Sequence, residues 1–130
     1  MGRCPAVWAL MFEGGQPERP AILVLSAATG PIQNAVLAGI EEEGVPSTVE
    51  TSTTGEDADV LAGVAAGRSS LDVGVGIDGQ GRVCVQHEKL TGPTPGLVSA
   101  GPAGLSSARI LGHNAARLVV GIPLRTETVS

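Results

Sequence analysis

Aromatic side chains are almost missing from this 130-residue sequence: there is no tyrosine, and the single Trp8 and single Phe12 both precede residue 13. Beyond that point the core has to be built from Val, Leu, Ile and Ala, which calls for close backbone packing in place of ring stacking. Charge is also scarce. Asp, Glu, Lys and Arg make up 16% of residues, against about 25% in ordinary soluble domains. A surface so weakly charged resists association poorly, so a standing protein partner is one reading and a plain Ala/Gly-rich monomer the other.

Other absences remove whole classes of function. The eight Lys and Arg residues are scattered and the formal net charge is −5, so a nucleic-acid backbone finds no electrostatic footprint. Cys4 and Cys84 stand alone in unlike contexts, which reads as reduced thiols and not as a disulfide framework. The apolar stretch at 6–12 follows Arg3 but is interrupted at its start by Pro5 and closed by Glu13. It is too short for a membrane span and lacks a clean cleavage site, so the chain reads as soluble and not exported. There is no Walker lysine, no G-x-S-x-G elbow and no Cys and His constellation, and His87 and His113 lack the spacing of a zinc site. Nucleophilic catalysis lacks its parts. Gly74, Gly76 and Gly79 spell G-x-G-x-x-G, but they run through a strand into a tight turn and not into a helix N-terminus. A dinucleotide site needs the helix. Close approach of a neighbouring element to the sheet explains Gly74 and Gly76 better.

What is present has the rhythm of an α/β domain. The segment GGQPERP at 14–20 marks a linker between a leader (1–20) and the domain proper (21–125), with a short tail at 126–130. Residues 21–26, AILVLS, form an unbroken apolar run of the kind found in strands buried on both faces. Pro31 then suits a first helical position, Ile32, Val36 and Ile40 recur every four residues, and Gly44 with Pro46 closes the helix. A weaker strand follows at 45–52, a helix at 56–66 stopped by Gly67, and a third strand at 71–77. Asp78, Gly79, Gln80 and Gly81 turn that strand into a hairpin partner at 82–87, residues 97–100 can add an edge strand, and a last helix spans 105–120 with Gly121 beyond it. The order predicts a single domain with a mostly parallel, twisted sheet covered by helices on both faces.

One local rule is broken. Glu41, Glu42 and Glu43 crowd the last turn of the first helix, where the dipole disfavours carboxylates by about 0.3–1 kcal/mol each. With Ile40 facing the core, a step of about 100° per residue swings Glu42 outward, within reach of a partner. A solvated acidic face is the plain alternative. In the last helix Asn114 and Arg117 share a face, while Leu118 falls with Ile110, Leu111 and Ala115 on the core side.

Two stretches, LAGIEEEGVP at 37–46 and NAARLVVGIPLR at 114–125, resemble the small (beta) subunits of diol and glycerol dehydratase reactivating factors. The resemblance spans about 21–125 and is carried by a G-I-E-E-E-G-x-P turn and an N-A-A-R-L-V-x-G-I-P-[FL]-R tail. It implies a fold similar to the medium subunit of B12-dependent diol dehydratase. It also implies a non-catalytic subunit of a chaperone whose large subunit is an actin-like ATPase carrying ATP or ADP. Such factors expel damaged cobalamin from the dehydratase when the small subunit changes places with the medium one. The resemblance further implies a two-plus-two heterotetramer in the cytoplasm, with a bacterial microcompartment as one setting. It assigns Glu42 as a ligand to a Mg2+ ion shared with the large subunit, and Glu41, Asn114, Arg117 and Arg125 as contacts to that subunit. For Arg117 and Arg125 the alternative is a basic end complementing the helix dipole. Two rival functions remain beside it: a medium-type subunit of the dehydratase itself, and a stand-alone small-molecule binder using the loops at 27–30 and 53–55.

Overall fold

The computed structural model of the chain describes residues 20–89, 97–99 and 101–121. Strand β1 (Ile22–Ser26) is buried at every position and lies inside the sheet, as its unbroken apolar run requires. It is flanked by two parallel partners, β2 (Ser47–Thr51) and β3 (Val73–Ile77), and β4 (Val83–His87) adds to β3 in antiparallel pairing. The strand order is β2-β1-β3-β4. Alternation along β1 sends Ile22 and Val24 to one face and Leu23 and Leu25 to the other, and each face finds its own helical cover.

Helices α1 (Pro31–Glu42) and α3 (Leu105–Val120) cover the first face, where Val36, Ile40, Ala108, Leu111 and Ala115 pack on Val24, Val75 and Val85. Helix α2 (Ala58–Arg68) covers the second, with Leu61 and Ala65 on Leu23 and Leu25. The expected close approach is there. A Cβ at Gly74 would stand 2.2 Å from the Ala66 nitrogen and one at Gly76 2.2 Å from the Ala58 carbonyl oxygen, so only glycine lets the α2 backbone lie on β3.

Several boundaries differ from the sequence expectation. Gly67 does not stop α2; the helix runs through it to Arg68 and ends at Ser69, which has extended backbone and whose hydroxyl donates to the Ala21 carbonyl at 2.7 Å. The third strand begins at Val73 because Leu71 and Asp72 form a turn, Asp72 with φ 63. The edge addition at 97–100 is one antiparallel bridge, Cys84 with Val98, closed by Val85 N–H to Leu97 O at 2.7 Å and Ser99 N–H to Val83 O at 2.9 Å. Residue 100 lies outside the described residues. The hairpin follows the expectation: the buried Asp78 carboxylate accepts the Gln80 and Arg82 N–H groups at 2.9 and 3.0 Å.

Candidate functional site

The acidic turn gains its meaning from how α1 meets α3. The two helices cross at glycines: a Cβ at Gly39 would fall 2.1 Å from the Arg109 carbonyl oxygen, and one at Gly112 2.1 Å from the Val36 carbonyl oxygen. Backbones therefore touch, and the residues three and four positions beyond Gly39 on the same helix side are Glu42 and Glu43. Opposite them α3 presents Arg109, His113 and Arg117, spaced by four along one stripe. Carboxylates that the α1 dipole disfavours are offset by the two arginines of the neighbouring helix, with His113 between them.

The contacts are specific. Nε2 of His113 lies 2.8 Å from Oε1 of Glu42, and its Nδ1 lies 2.7 Å from Oε2 of Glu43, so one ring bridges both acids. Arg109 forks onto Glu42, with Nε donating to Oε1 at 3.1 Å and a terminal nitrogen donating to Oε2. Arg117 Nε donates to Glu43 Oε2 at 2.9 Å. The His113 and Arg117 hydrogen bonds hold the Glu43 carboxyl below its ordinary value. The pair differs in access: the Glu43 side chain is 15% exposed and the Glu42 side chain 38%. Glu42 is the acid a visiting group can reach.

Glu42 was expected to face away from the body of the domain. It is exposed, but α3 reaches its side of α1 through the glycine crossing, so it is engaged and not solitary. Glu41 is exposed beside it. Asn114 departs from the expectation of a partner contact. It is fully buried, within a stretch of α3 that is buried from Leu111 to Ala116, and it has no surface to offer. Its shared face with Arg117 turns inward at Asn114 and emerges only at Arg117, whose side chain is 26% exposed. Arg125 lies outside the described residues. Leu118 packs against the core as expected. Sequence reading missed Arg109 and His113; the signal for them was the i, i+4, i+8 stripe opposite a helix that carries Gly39 in its core-facing half. Among the described residues no group of three or more His, Cys, Asp or Glu side chains is placed to hold a metal by itself.

Residues 19–125 match the model of the dehydratase medium subunit family. The chain belongs to that family. Its relatives include the propanediol dehydratase-reactivating factor small subunit of Citrobacter freundii, 36% identical over 109 residues that cover 82% of this chain and 90% of the relative. The diol dehydratase-reactivating factor small subunit of Klebsiella michiganensis is 37% identical over 105 residues, covering 81% and 82%. Among solved structures, a glycerol dehydratase reactivase superposes with a TM-score of 0.75 at 30% identity, covering 83% of this chain and 98% of that one. A diol dehydratase-reactivating factor complexed with ADP and Mg2+ gives 0.70 at 34% identity, covering 84% and 100%. Within the dehydratase medium subunit family, then, the chain sides with the small subunits of reactivating factors.

Proposed function

We propose that this chain is the small subunit of an ATP-dependent reactivating factor for a coenzyme B12-dependent diol or glycerol dehydratase, without catalytic activity of its own. The carrying observation is that one domain answers to two descriptions: a family model built on the dehydratase medium subunit and a nearly full-length superposition on reactivase chains. A domain shaped like an enzyme subunit competes with that subunit for a shared docking surface, and the exchange opens the dehydratase so that damaged cobalamin leaves. ATP and ADP then belong to the large subunit, and the assembly is a two-plus-two heterotetramer in the cytoplasm. No helix among the described residues is long and apolar enough to cross a membrane.

Glu42 supplies one ligand to a Mg2+ ion at the contact with the large subunit, with Glu41 and Arg117 beside it in the same interface. The residues fit such an ion as one donor of several. Mg2+ takes hard oxygen atoms, commonly one or two carboxylates, and keeps waters. Glu42 is the more accessible of the two carboxylates that His113 bridges, and the rest of the shell comes from water and the partner. Arg125 remains an expected contact to the large subunit. Co-expression with the cognate large subunit tests the proposal: a stable mixed oligomer that restores activity to cobalamin-inactivated dehydratase is expected. A well-folded chain that ignores both large subunit and dehydratase overturns it.

A further inference from the structure

The Glu42 carboxylate is held by two groups that differ in freedom. His113 is wedged between the helices with 11% of its side chain exposed, and its second ring nitrogen is committed to Glu43. It cannot withdraw without parting α1 from α3. Arg109 reaches Glu42 from the surface, with 53% of its side chain exposed, and rests on it through a two-pronged contact. Such a fork uses the in-plane lone pairs of a carboxylate, the same electrons that a hard cation needs at about 2.0–2.1 Å. The guanidinium and a divalent ion compete for one site. Exposed ion pairs are weak enough for a side chain such as Arg109 to be exchanged out.

We infer that Arg109 is a displaceable counter-ion: it caps Glu42 in the free chain and yields the carboxylate when a divalent cation binds at the subunit contact. This rests on the reading of Glu42 as an ion ligand. Loading of the ion and release of the Arg109 side chain are then one event, while His113 stays in place and keeps the carboxylate at the end of α1. The free chain is protected from holding a stray cation, because the site is vacated only where a partner supplies the remaining ligands.

The test is assembly of the full chain with its large subunit at fixed ADP, measured by sedimentation while Mg2+ is added back after chelation. Arg109→Gln is expected to lower the half-maximal Mg2+ concentration by roughly two- to fivefold, the size set by losing one exposed ion pair. Arg109→Lys keeps the charge but loses the fork, and is expected to lower it too, by less. An unchanged or raised midpoint in Arg109→Gln overturns the inference. So does a lysine variant identical to the parent beside a shifted glutamine variant, since charge alone then accounts for the effect. Glu42→Gln, run in parallel, separates the two levels: Mg2+ dependence that survives it unaltered defeats the ion-ligand reading. Dependence lost in Glu42→Gln but untouched in both Arg109 variants defeats displacement alone.

Discussion

Gly39 and Gly112 face each other across the α1–α3 crossing, the α-carbon of Gly39 lying 3.2 Å from where a Cβ on Gly112 would stand. The contacts of Glu42 and Glu43 depend on that approach, because a wider crossing would part them from the arginine and histidine stripe. The nearest obstacles to added Cβ atoms are backbone carbonyls, Arg109 O for Gly39 and Val36 O for Gly112, each at 2.1 Å, and backbone cannot rotate aside. Helix propensity alone would favour Gly→Ala by about 1 kcal/mol; the clash wins. Gly112→Ala is expected to cost about 3 kcal/mol and to lower the melting temperature by roughly 10 °C or more. Thermal unfolding followed by circular dichroism checks this, and an unchanged midpoint would mean that the helices do not touch.

The opposite outcome is expected on the other side of the sheet. Gly63 sits within α2 at an exposed position, and a Cβ there would meet nothing within 4 Å. Gly63→Ala therefore gains propensity without a clash and should stabilise the domain by about 0.5–1 kcal/mol. Denaturant titration of the two alanine variants side by side should give shifts of opposite sign.

Acid should loosen the α1–α3 contact through Glu43. Its folded pKa lies below the ordinary glutamate value of 4.5, first because of the His113 hydrogen bond and then that of Arg117. A lowered value means that the stabilisation is fully present above about pH 4.5 and is lost as pH falls through the folded value. Glu43→Gln should be less stable than the parent at pH 6, and the gap should close as pH drops from 4.5 toward 3. Melting curves across that range decide it; a gap of equal size at pH 3 refutes the assignment.

Cys84 offers a probe of the intact sheet. Its side chain is buried under α2 beside Ala58 and Ala62, and desolvation pushes the thiol up to about 11. At pH 8 the thiolate population falls on the order of a hundredfold below that of a free cysteine. In a Cys4→Ser background, a thiol-specific disulfide reagent should leave the native chain almost unmodified and react promptly in denaturant. Fast labelling of the folded chain would contradict the burial.

The parts of this fold that could be read from the sequence are those where a single segment decides. AILVLS at 21–26 has the unbroken apolar run of a strand covered on both sides, and Pro31 and Gly44 bracket α1 because proline and a left-handed glycine act locally. Gly67 misled for the complementary reason: its weak local preference for stopping a helix is overridden by the packing of Ala65 and Ala66 on β3. The site was half legible. A row of three acids at the wrong helix end marked the place, but the partners of two of them, Glu42 and Glu43, come from residues 67–74 positions further on, and only the crossing of two helices brings those together. Asn114 shows the converse limit, since helical spacing gives a direction and not a depth.

The outer margin of the sheet at β2 carries a consequence of its own. Its backbone there is unpaired by any described strand, and an open margin in a chain so poor in charge invites stacking of one molecule on the next. Arg68 spans from the end of α2 to Glu50 on that margin, at 2.9 and 3.0 Å, with both side chains about half exposed. Charged side chains on an edge strand are one of the devices that discourage edge-to-edge pairing, and this pair puts both signs of charge beside the open margin.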